Sequence, residues 1–145
     1  MRERCYCKIQ LDDGATLPMR KHADDAGYDI YAKENAIIPA HGWKPVSTGV
    51  HTDPGSGWYI QVVPRSGLAY NYGVSVLNTP GTVDSGYRDE IKVIMYNISD
   101  KDYLVKAGDR IAQLIFTPSY EVNFGIFESL DETDRGTNGF GSTGK

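Results

Sequence analysis

The stretch Ile91-Lys-Val-Ile-Met-Tyr-Asn-Ile98 is apolar on both of the alternating faces that a β-strand presents. Each face carries three large apolar side chains, namely Ile91, Val93 and Met95 on one and Ile94, Tyr96 and Ile98 on the other. A β-sandwich buries only one face of each strand. The second apolar face therefore predicts a contact with another subunit, where tyrosine and methionine are enriched.

On both sides of this stretch, short runs rich in β-branched and aromatic residues alternate with Gly, Pro, Asn and Asp. The predicted strands are Tyr28–Ala32, Lys44–Ser47, Trp58–Val63, Val74–Leu77, Glu90–Ile98, Tyr103–Val105, Arg110–Thr117 and Val122–Phe127. Their spacing is typical of an all-β sandwich or barrel. The segment Ser66–Tyr72 lacks β-branched residues, so we predict one short helix there.

The length of 145 residues fits one domain with a substantial core. A net charge of −4 argues against a nucleic-acid surface, which needs clustered lysine and arginine. No apolar run approaches the roughly 20 residues that span a membrane, so we expect no membrane partner. The cysteines, Cys5 and Cys7, are one residue apart, and we interpret them as reduced thiols in a cytoplasmic protein.

The loop Asn78–Glu90 joins two apolar strands, and Pro80-Gly81 fits the centre of a type II turn. In such a rigid loop, the Asp84 carboxylate can polarise a water molecule and Tyr87 can pack against a sugar. A plain turn with a capping aspartate explains the same residues, and the loop alone does not decide between the two interpretations.

Three further positions carry chemistry that the fold alone does not require. In Pro64–Ala69, an arginine, a serine and a glycine precede the predicted helix and form a suitable anion site. Asp29 and Gln113 each lie within an otherwise apolar strand, where a buried polar group needs a partner. Both side chains have an ordinary alternative, which is to face water or to make structural hydrogen bonds.

The tail Arg135–Gly144 contains four glycines, so it has too few side chains to form core. Arg135 is suited to phosphate oxygens and Phe140 to the flat face of a base. Preceded by the acidic hinge Asp131–Asp134, the tail is predicted to be a lid that orders over a nucleotide. A disordered glycine-rich terminus is the alternative.

Taken together and in this order, these segments resemble the five motifs of the homotrimeric deoxyuridine triphosphatases, with a bacterial or phage-like member the nearest likeness. The motif segments are Ala26–Ala32, Pro64–Ala69, Asn78–Glu90, Asp109–Leu114 and Arg135–Gly144. The resemblance covers almost the whole chain. It implies an all-β distorted jelly roll of the β-clip type with one short helix, assembled as a threefold trimer whose active sites draw on all three chains. Residues 1–130 would form the jelly roll and residues 131–145 its flexible lid.

The implied reaction is the hydrolysis of dUTP to dUMP and pyrophosphate, which limits uracil incorporation into DNA and supplies dUMP for dTMP synthesis. Asp84 and Gln113 would be the catalytic residues, and Asp29 would act on Mg²⁺ through the water shell of the ion. The implied substrate contacts come from the phosphate segment, the hairpin and the tail, namely Arg65, Ser66, Gly67, Asn78, Gly81, Val83, Tyr87, Arg135, Phe140, Gly141, Ser142 and Thr143.

One position departs from the family pattern, because Asp89 stands where the family usually has glycine. Two alternatives to dUTP hydrolysis stay open at this point. A dCTP deaminase shares the fold but needs a glutamate at the base, and none occurs in Asn78–Tyr87. A non-catalytic or regulatory partner protein on the same scaffold is the other, although the intact set of candidate catalytic residues argues against it.

Overall fold

The computed structural model describes residues 3–144, so the first two positions of the predicted range 1–130 and the last position of 131–145 lie outside the described residues. The elements are β1 (Lys8–Leu11), β2 (Tyr28–Tyr31), β3 (Ala36–Ile38), β4 (Gly42–Ser47), β5 (Val50–Asp53), β6 (Trp58–Val63), α1 (Ser66–Tyr72), β7 (Val74–Val76), β8 (Gly81–Val83), β9 (Lys92–Asn97), β10 (Tyr103–Val105) and β11 (Arg110–Pro118). The prediction of an all-β chain with one short helix is confirmed.

The strands form four small antiparallel sheets, of which the largest has the order β2-β11-β6-β8. In this sheet Gln113 pairs with Asp29 on one side and with Val63 on the other. A second sheet has the order β4-β9-β7, and the pairs β1-β5 and β10-β3 complete the fold. In this arrangement β6 lies between β11 on one side and β8 on the other, so the segments that flank β6 lie close to both strands.

The stretch that begins at Ile91 behaves as its two apolar faces predict. Ile91, Val93 and Met95 are buried in the core, together with Ile30, Ile60 and Leu114 from the larger sheet. On the opposite face Ile94 and Tyr96 are only half-buried, and Ile98 is 58% exposed. The chain by itself therefore covers one face and leaves the second, largely apolar face available.

The helix α1 has the bounds that its sequence predicts. It ends at Gly73, which adopts the left-handed conformation (φ 66°) and donates its N–H to the carbonyl of Ala69, a glycine C-cap. Leu68 is its buried residue. Within residues 3–144, no helix has the length and apolar character needed to cross a membrane.

The sequence-based strand assignment needs two corrections. Val122–Phe127 is not a strand; the segment has no regular secondary structure and is exposed, since Phe124 is 91% and Ile126 100% accessible and no strand of residues 3–144 pairs with it. Four strands were not predicted, β1, β3, β5 and β8. Each has only three or four residues, a length at which alternation is a weak signal, although β2, β7 and β10 are equally short and were predicted.

Candidate functional site

Five of the predicted residues, Asn78, Gly81, Val83, Asp84 and Tyr87, line one pocket of about 170 Å³. Its remaining walls come mainly from apolar residues of β6, β7 and β9 and from the polar side chains that follow the loop, and we call it the loop pocket. There is little free space around Gly81 in this pocket, because a Cβ added there would lie 3.3 Å from the side-chain amide nitrogen of Asn78. The pocket therefore presents an amide, a carboxylate and a phenol around a small cavity.

The turn at the start of this loop differs from the prediction. A type II turn needs a positive φ at its third residue, and Gly81 does not have one; it begins β8 instead. The Thr79–Pro80 peptide bond is cis. In β8, the backbone of Gly81 is in register opposite Val62 of β6.

The second half of the loop is a closed unit. The N–H of Tyr87 donates to the carbonyl of Asp84 over 3.1 Å, and the Tyr87 hydroxyl donates to the carbonyl of Glu90 over 3.0 Å. The Glu90 carboxylate accepts hydrogen bonds from the Ser47 hydroxyl and from the Gly49 N–H, the latter over 2.8 Å. These contacts fix the loop to the segment between β4 and β5.

Asp89, at the position of the usual family glycine, is accommodated without a left-handed backbone. Its carboxylate accepts a hydrogen bond from the N–H of Glu90 over 2.7 Å, the kind of local bond that aspartate makes in turns. The neighbouring Arg88 pairs with Asp53 over 3.2 Å and donates to the carbonyl of Thr52 over 3.2 Å. The substitution therefore leaves the local backbone unstrained.

A second group of predicted residues, outside the loop pocket, comes together around β2 and β11 of the larger sheet. The Asp29 carboxylate lies 3.2 Å from Nε of Arg65 and 3.6 Å from a terminal nitrogen of Arg110. Gln113 donates from its side-chain amide to the carbonyl of Pro64 over 3.0 Å. We call Asp29, Arg65, Arg110 and Gln113 the polar cluster; it combines two guanidinium groups, one carboxylate and one amide.

Two residues of this second group were not singled out from the sequence. Arg110 lies at the start of β11, and its position inside the fourth motif segment is the signal that points to it. Gly27 lies directly against Gln113: a Cβ there would be 2.1 Å from the amide oxygen of that residue. Gly27 is therefore required for the observed orientation of the Gln113 side chain.

The beginning of α1 adds Ser66 and Gly67 beside the polar cluster. Both residues are exposed, and a Cβ added to Gly67 would meet no atom within 4 Å. Arg65 precedes the helix in an extended conformation and makes no side-chain cap to it. Its guanidinium is thus directed to Asp29 rather than to the helix backbone.

The polar cluster and the loop pocket are separated within the chain. Asp29 lies on β2 and Asp84 directly follows β8, which are the two edge strands of the four-stranded sheet. Three inter-strand spacings separate these edges, or about 14 Å across the sheet. None of the polar-cluster residues lines the loop pocket.

The tail residues form a third, separate group. Among residues 3–144, the hydrogen bonds of the tail are local turns; Arg135 donates to the carbonyl of Asn138 over 3.1 Å. The side chain of Phe140 is fully exposed, and its backbone has a positive φ of 53°. Gly141, Ser142 and Thr143 continue this exposed chain of turns.

Within the described part of the chain, no group of three or more Asp, Glu, His or Cys residues is arranged to hold a metal ion. Asp29 is the predicted metal-associated residue, and its oxygens face two guanidinium groups. Mg²⁺ commonly keeps several waters and binds mainly through substrate phosphates. One carboxylate acting through water, without a cage, fits that mode of binding.

Comparison with known proteins places this geometry in a family. The family model described as dUTPase matches residues 13–144. A deoxyuridine 5'-triphosphate nucleotidohydrolase of Paramecium bursaria Chlorella virus 1 is 47% identical over 135 residues, which are 93% of this chain and 94% of the relative. The protein of the same name from Helicobacter pylori (strain J99) is 47% identical over 138 residues, covering 94% and 95%.

Solved structures agree in fold. A mutant dUTPase of Staphylococcus bacteriophage 80alpha, described with dUpNHpp, superposes with a TM-score of 0.88 at 22% identity and covers 97% of this chain and 99% of its own. A mutant dUTPase from phage phi11 of S. aureus, described as coordinating a structural Mg(II) ion, gives a TM-score of 0.77 at 22% identity, covering 86% and 97%. The jelly-roll architecture is therefore shared.

Proposed function

We propose, since this chain belongs to the dUTPase family, that it hydrolyses dUTP to dUMP and pyrophosphate at sites completed by neighbouring copies of the chain. The observation that carries this proposal is the grouping of Asn78, Gly81, Val83, Asp84 and Tyr87 around one small pocket. Two curated relatives of nearly full length and the same named activity support dUTP as the substrate. The proposed setting is the cytoplasm.

The Asp84 carboxylate is the general base of the proposed reaction. It takes a proton from a water molecule as the water oxygen bonds to the α-phosphorus and the bond to the bridging oxygen of pyrophosphate breaks. Gln113 holds the same water or an α-phosphate oxygen. A carboxylate base that deprotonates the nucleophile contributes typically 10²- to 10⁴-fold to rate.

The polar cluster and the start of α1 bind the triphosphate. Arg65 exchanges its Asp29 partner for phosphate oxygens, and the Ser66 hydroxyl and Gly67 N–H donate to them. Asp29 would hold Mg²⁺ through the water shell of the ion, and the bound ion would supply positive charge to offset that of the triphosphate. Arg110 remains available to Asp29 when Arg65 turns to the substrate.

The loop pocket selects the base and the sugar. Asn78 and the backbone of β8 read the pairing edge of uracil, and the walls at Gly81 and Val83 exclude the methyl group of thymine; the limited space around Gly81 supports this role. Tyr87 packs on the deoxyribose, where it excludes a 2′-hydroxyl. In the closed state Phe140 covers the base, while Arg135, Gly141, Ser142 and Thr143 bind the phosphates and exclude water.

A homotrimer is the proposed assembly. It is supported by the separation of Asp29 in the polar cluster from Asp84 in the loop pocket, since Asp29 lies on one edge strand of a sheet and Asp84 directly follows the other. It is also supported by apolar surface that the chain leaves open, namely the half-buried face of β9 and the exposed segment 120–130. Alternating apolar residues at Tyr120, Val122, Phe124 and Ile126 suit a strand that pairs with another copy.

The proposed activity is tested by measuring pyrophosphate release from dUTP, dTTP, dCTP and UTP, with and without Mg²⁺. We expect release from dUTP alone. Asp84→Asn should lower turnover by roughly 10²- to 10⁴-fold while a non-hydrolysable dUTP analogue still binds. Wild-type protein that binds the analogue without releasing pyrophosphate would support the partner-protein alternative, and ammonia release from dCTP would support the deaminase.

Site sharing is tested by complementation between two inactive variants. Asp84→Asn and Gln113→Ala chains, refolded together, regain activity only if one site takes Asp84 and Gln113 from different chains. Random mixing in equal amounts gives about a quarter of the sites both wild-type residues, so recovery to about a quarter of wild-type activity is expected. No recovery, in mixtures shown to exchange subunits, would mean that each chain completes its own site.

A further inference from the structure

His51, on β5, lies between two hydrogen-bond acceptors. Its Nδ1 is 2.8 Å from the carbonyl oxygen of Arg88, and its Nε2 is 3.1 Å from a carboxylate oxygen of Asp12. A carbonyl and an ionised carboxylate only accept hydrogen bonds, whereas a neutral imidazole carries a single N–H. Both contacts are hydrogen bonds only when both ring nitrogens are protonated.

We propose that His51 is a positioning residue of the loop Asp84–Glu90: as an imidazolium, it ties the Arg88 carbonyl to Asp12 and makes the placement of the loop pH-dependent. The residue touches neither the loop pocket nor the polar cluster, so it acts through the loop. This inference rests on the proposed role of that loop in dUTP hydrolysis.

The surroundings of His51 favour its charged form. The hydrogen bond to the Arg88 carbonyl, followed by that to Asp12, raises the pKa of His51 above its usual range, and the negative charges of Asp12 and Asp89 act in the same direction. Partial burial opposes them. Asp89, which stands where the family usually has glycine, thus adds a negative charge that favours the protonated form of His51.

The other charged groups near His51 interact with residues other than His51. On the same strand, Asp53 pairs with the Arg88 guanidinium over 3.2 Å. On the paired strand β1, His51 faces the uncharged Gln10, while Lys8 lies opposite Asp53. In the loop, the Glu90 carboxylate accepts from the backbone of Gly49. Asp12 and Asp89 are therefore the carboxylates that bear on the His51 charge.

The contact of His51 with the Arg88 carbonyl affects the loop pocket because hydrogen bonds within the loop connect the backbone around Arg88 to pocket residues. Hydrogen bonds join Tyr87 to Asp84 and to Glu90 on either side of Arg88. The guanidinium of Arg88 also holds the carbonyl of Thr52, so the residue is attached to β5 by its side chain and, through His51, by its main chain. A change at the Arg88 carbonyl therefore moves the backbone that carries Tyr87 and Asp84.

The direction of the pH effect follows from the raised pKa. A histidine with a folded-state pKa above its unfolded value of about 6.5 contributes its full stabilisation below that value. The contribution disappears as the pH rises through the folded-state pKa. Above it, one ring nitrogen directs a lone pair at an oxygen atom, so the connection from the Arg88 carbonyl through His51 to Asp12 loses one of its two hydrogen bonds.

The test compares His51→Gln with a matched control, His41→Gln. His41 also pairs with a carboxylate, Asp100, over 2.7 Å, but on an exposed surface away from the loop. Glutamine keeps one neutral donor, so a folded variant is expected. The titration of the His51 ring is followed by NMR in the wild-type protein, and kcat/KM for dUTP is measured from about pH 6 to about pH 9.

We expect His51 to titrate above about 6.5, with both ring nitrogens protonated at low pH. His51→Gln should lower kcat/KM roughly threefold to tenfold at about pH 6, which corresponds to one hydrogen bond, and the loss should vanish toward about pH 9. His41→Gln should follow the wild-type profile throughout. Asp12→Asn, which leaves His51 and the loop intact, should move the alkaline decline to lower pH.

Two results would overturn the inference. One is a His51 titration at or below about 6.5. The other is a His51→Gln profile that is parallel to the wild type at every pH, because a purely structural contact would lower activity without changing its pH dependence. If the wild-type protein showed no dUTP hydrolysis, the proposed function would fail, whereas the NMR titration would still decide the charge state of His51.

Discussion

Gly27→Ala is the substitution whose effect the structure specifies most closely. The added Cβ would lie 2.1 Å from the amide oxygen of Gln113, 2.9 Å from its Cδ and 3.1 Å from its Cβ. The first two distances are far inside van der Waals contact, so the Gln113 amide must leave its position. It then loses its hydrogen bond to the carbonyl of Pro64.

The magnitude follows from two terms. The Gln113 amide is the far end of a flexible, half-buried side chain, so moving it costs about 0.5–1.5 kcal/mol, and the lost hydrogen bond adds about 1 kcal/mol. Gly27→Ala should therefore destabilise the protein by about 1.5–2.5 kcal/mol. Because Gln113 is proposed to hold the attacking water or an α-phosphate oxygen, kcat should fall by roughly 10²- to 10³-fold, as for loss of one positioned donor.

Chemical unfolding and pyrophosphate release measure these two effects separately, and a double variant tells them apart. Gln113→Ala removes the amide that clashes and leaves only the 3.1 Å contact at Cβ. The variant Gly27→Ala/Gln113→Ala should therefore regain most of the stability lost in Gly27→Ala while staying inactive. Additive losses of stability in the double variant, or a near-normal kcat for Gly27→Ala, would refute this reasoning.

Two further substitutions and one truncation separate folding from activity. Gly67→Ala should leave stability unchanged or raise it by up to about 1 kcal/mol, since a Cβ there meets no atom within 4 Å. It should nevertheless lower kcat/KM for dUTP, because the added methyl group blocks the phosphate. An unchanged kcat/KM would contradict the assignment of Gly67 to phosphate binding. Truncation after Asp134 should leave the unfolding transition intact, because the hydrogen bonds of the described tail are local, and should abolish most turnover; full turnover would rule out the lid. Tyr87→Ala should raise kcat/KM for UTP relative to dUTP, and an unchanged ratio would count against packing on the sugar.

The fold was predictable where local chemistry and tertiary context agree. Ser66–Tyr72 is helical as predicted, because it lacks β-branched residues and a glycine follows it in the left-handed conformation. Val122–Phe127 was wrong as a strand for a reason outside its own sequence: strand formation needs a partner edge, and the described chain provides none. Alternation in a sequence shows that a segment suits a strand but does not show which chain pairs with it.

The sequence singled out candidate site residues, and the structure shows which of them lie together. The loop residues from Asn78 to Tyr87 were expected to act together, and they do share a pocket. The sequence did not indicate that Asp29 would face two arginines, because the register of β2 on β11 and the reach of Arg110 are tertiary properties. Gly27 escaped attention for the same reason, since the atom it would collide with lies in a strand more than eighty residues later.

The glycines of the motif segments independently support a binding site that a single chain does not complete. Gly27 is explained by the fold, because the chain itself fills the space that a side chain would occupy. Gly67, Gly86 and Gly139 are different: none has a positive φ, and a Cβ at each would meet nothing within 4 Å. Neither backbone conformation nor packing within the chain therefore requires glycine there. These three residues belong to the phosphate segment, the loop and the tail, which are the parts proposed to meet around dUTP. We propose that close approach of a ligand or of another copy accounts for all three.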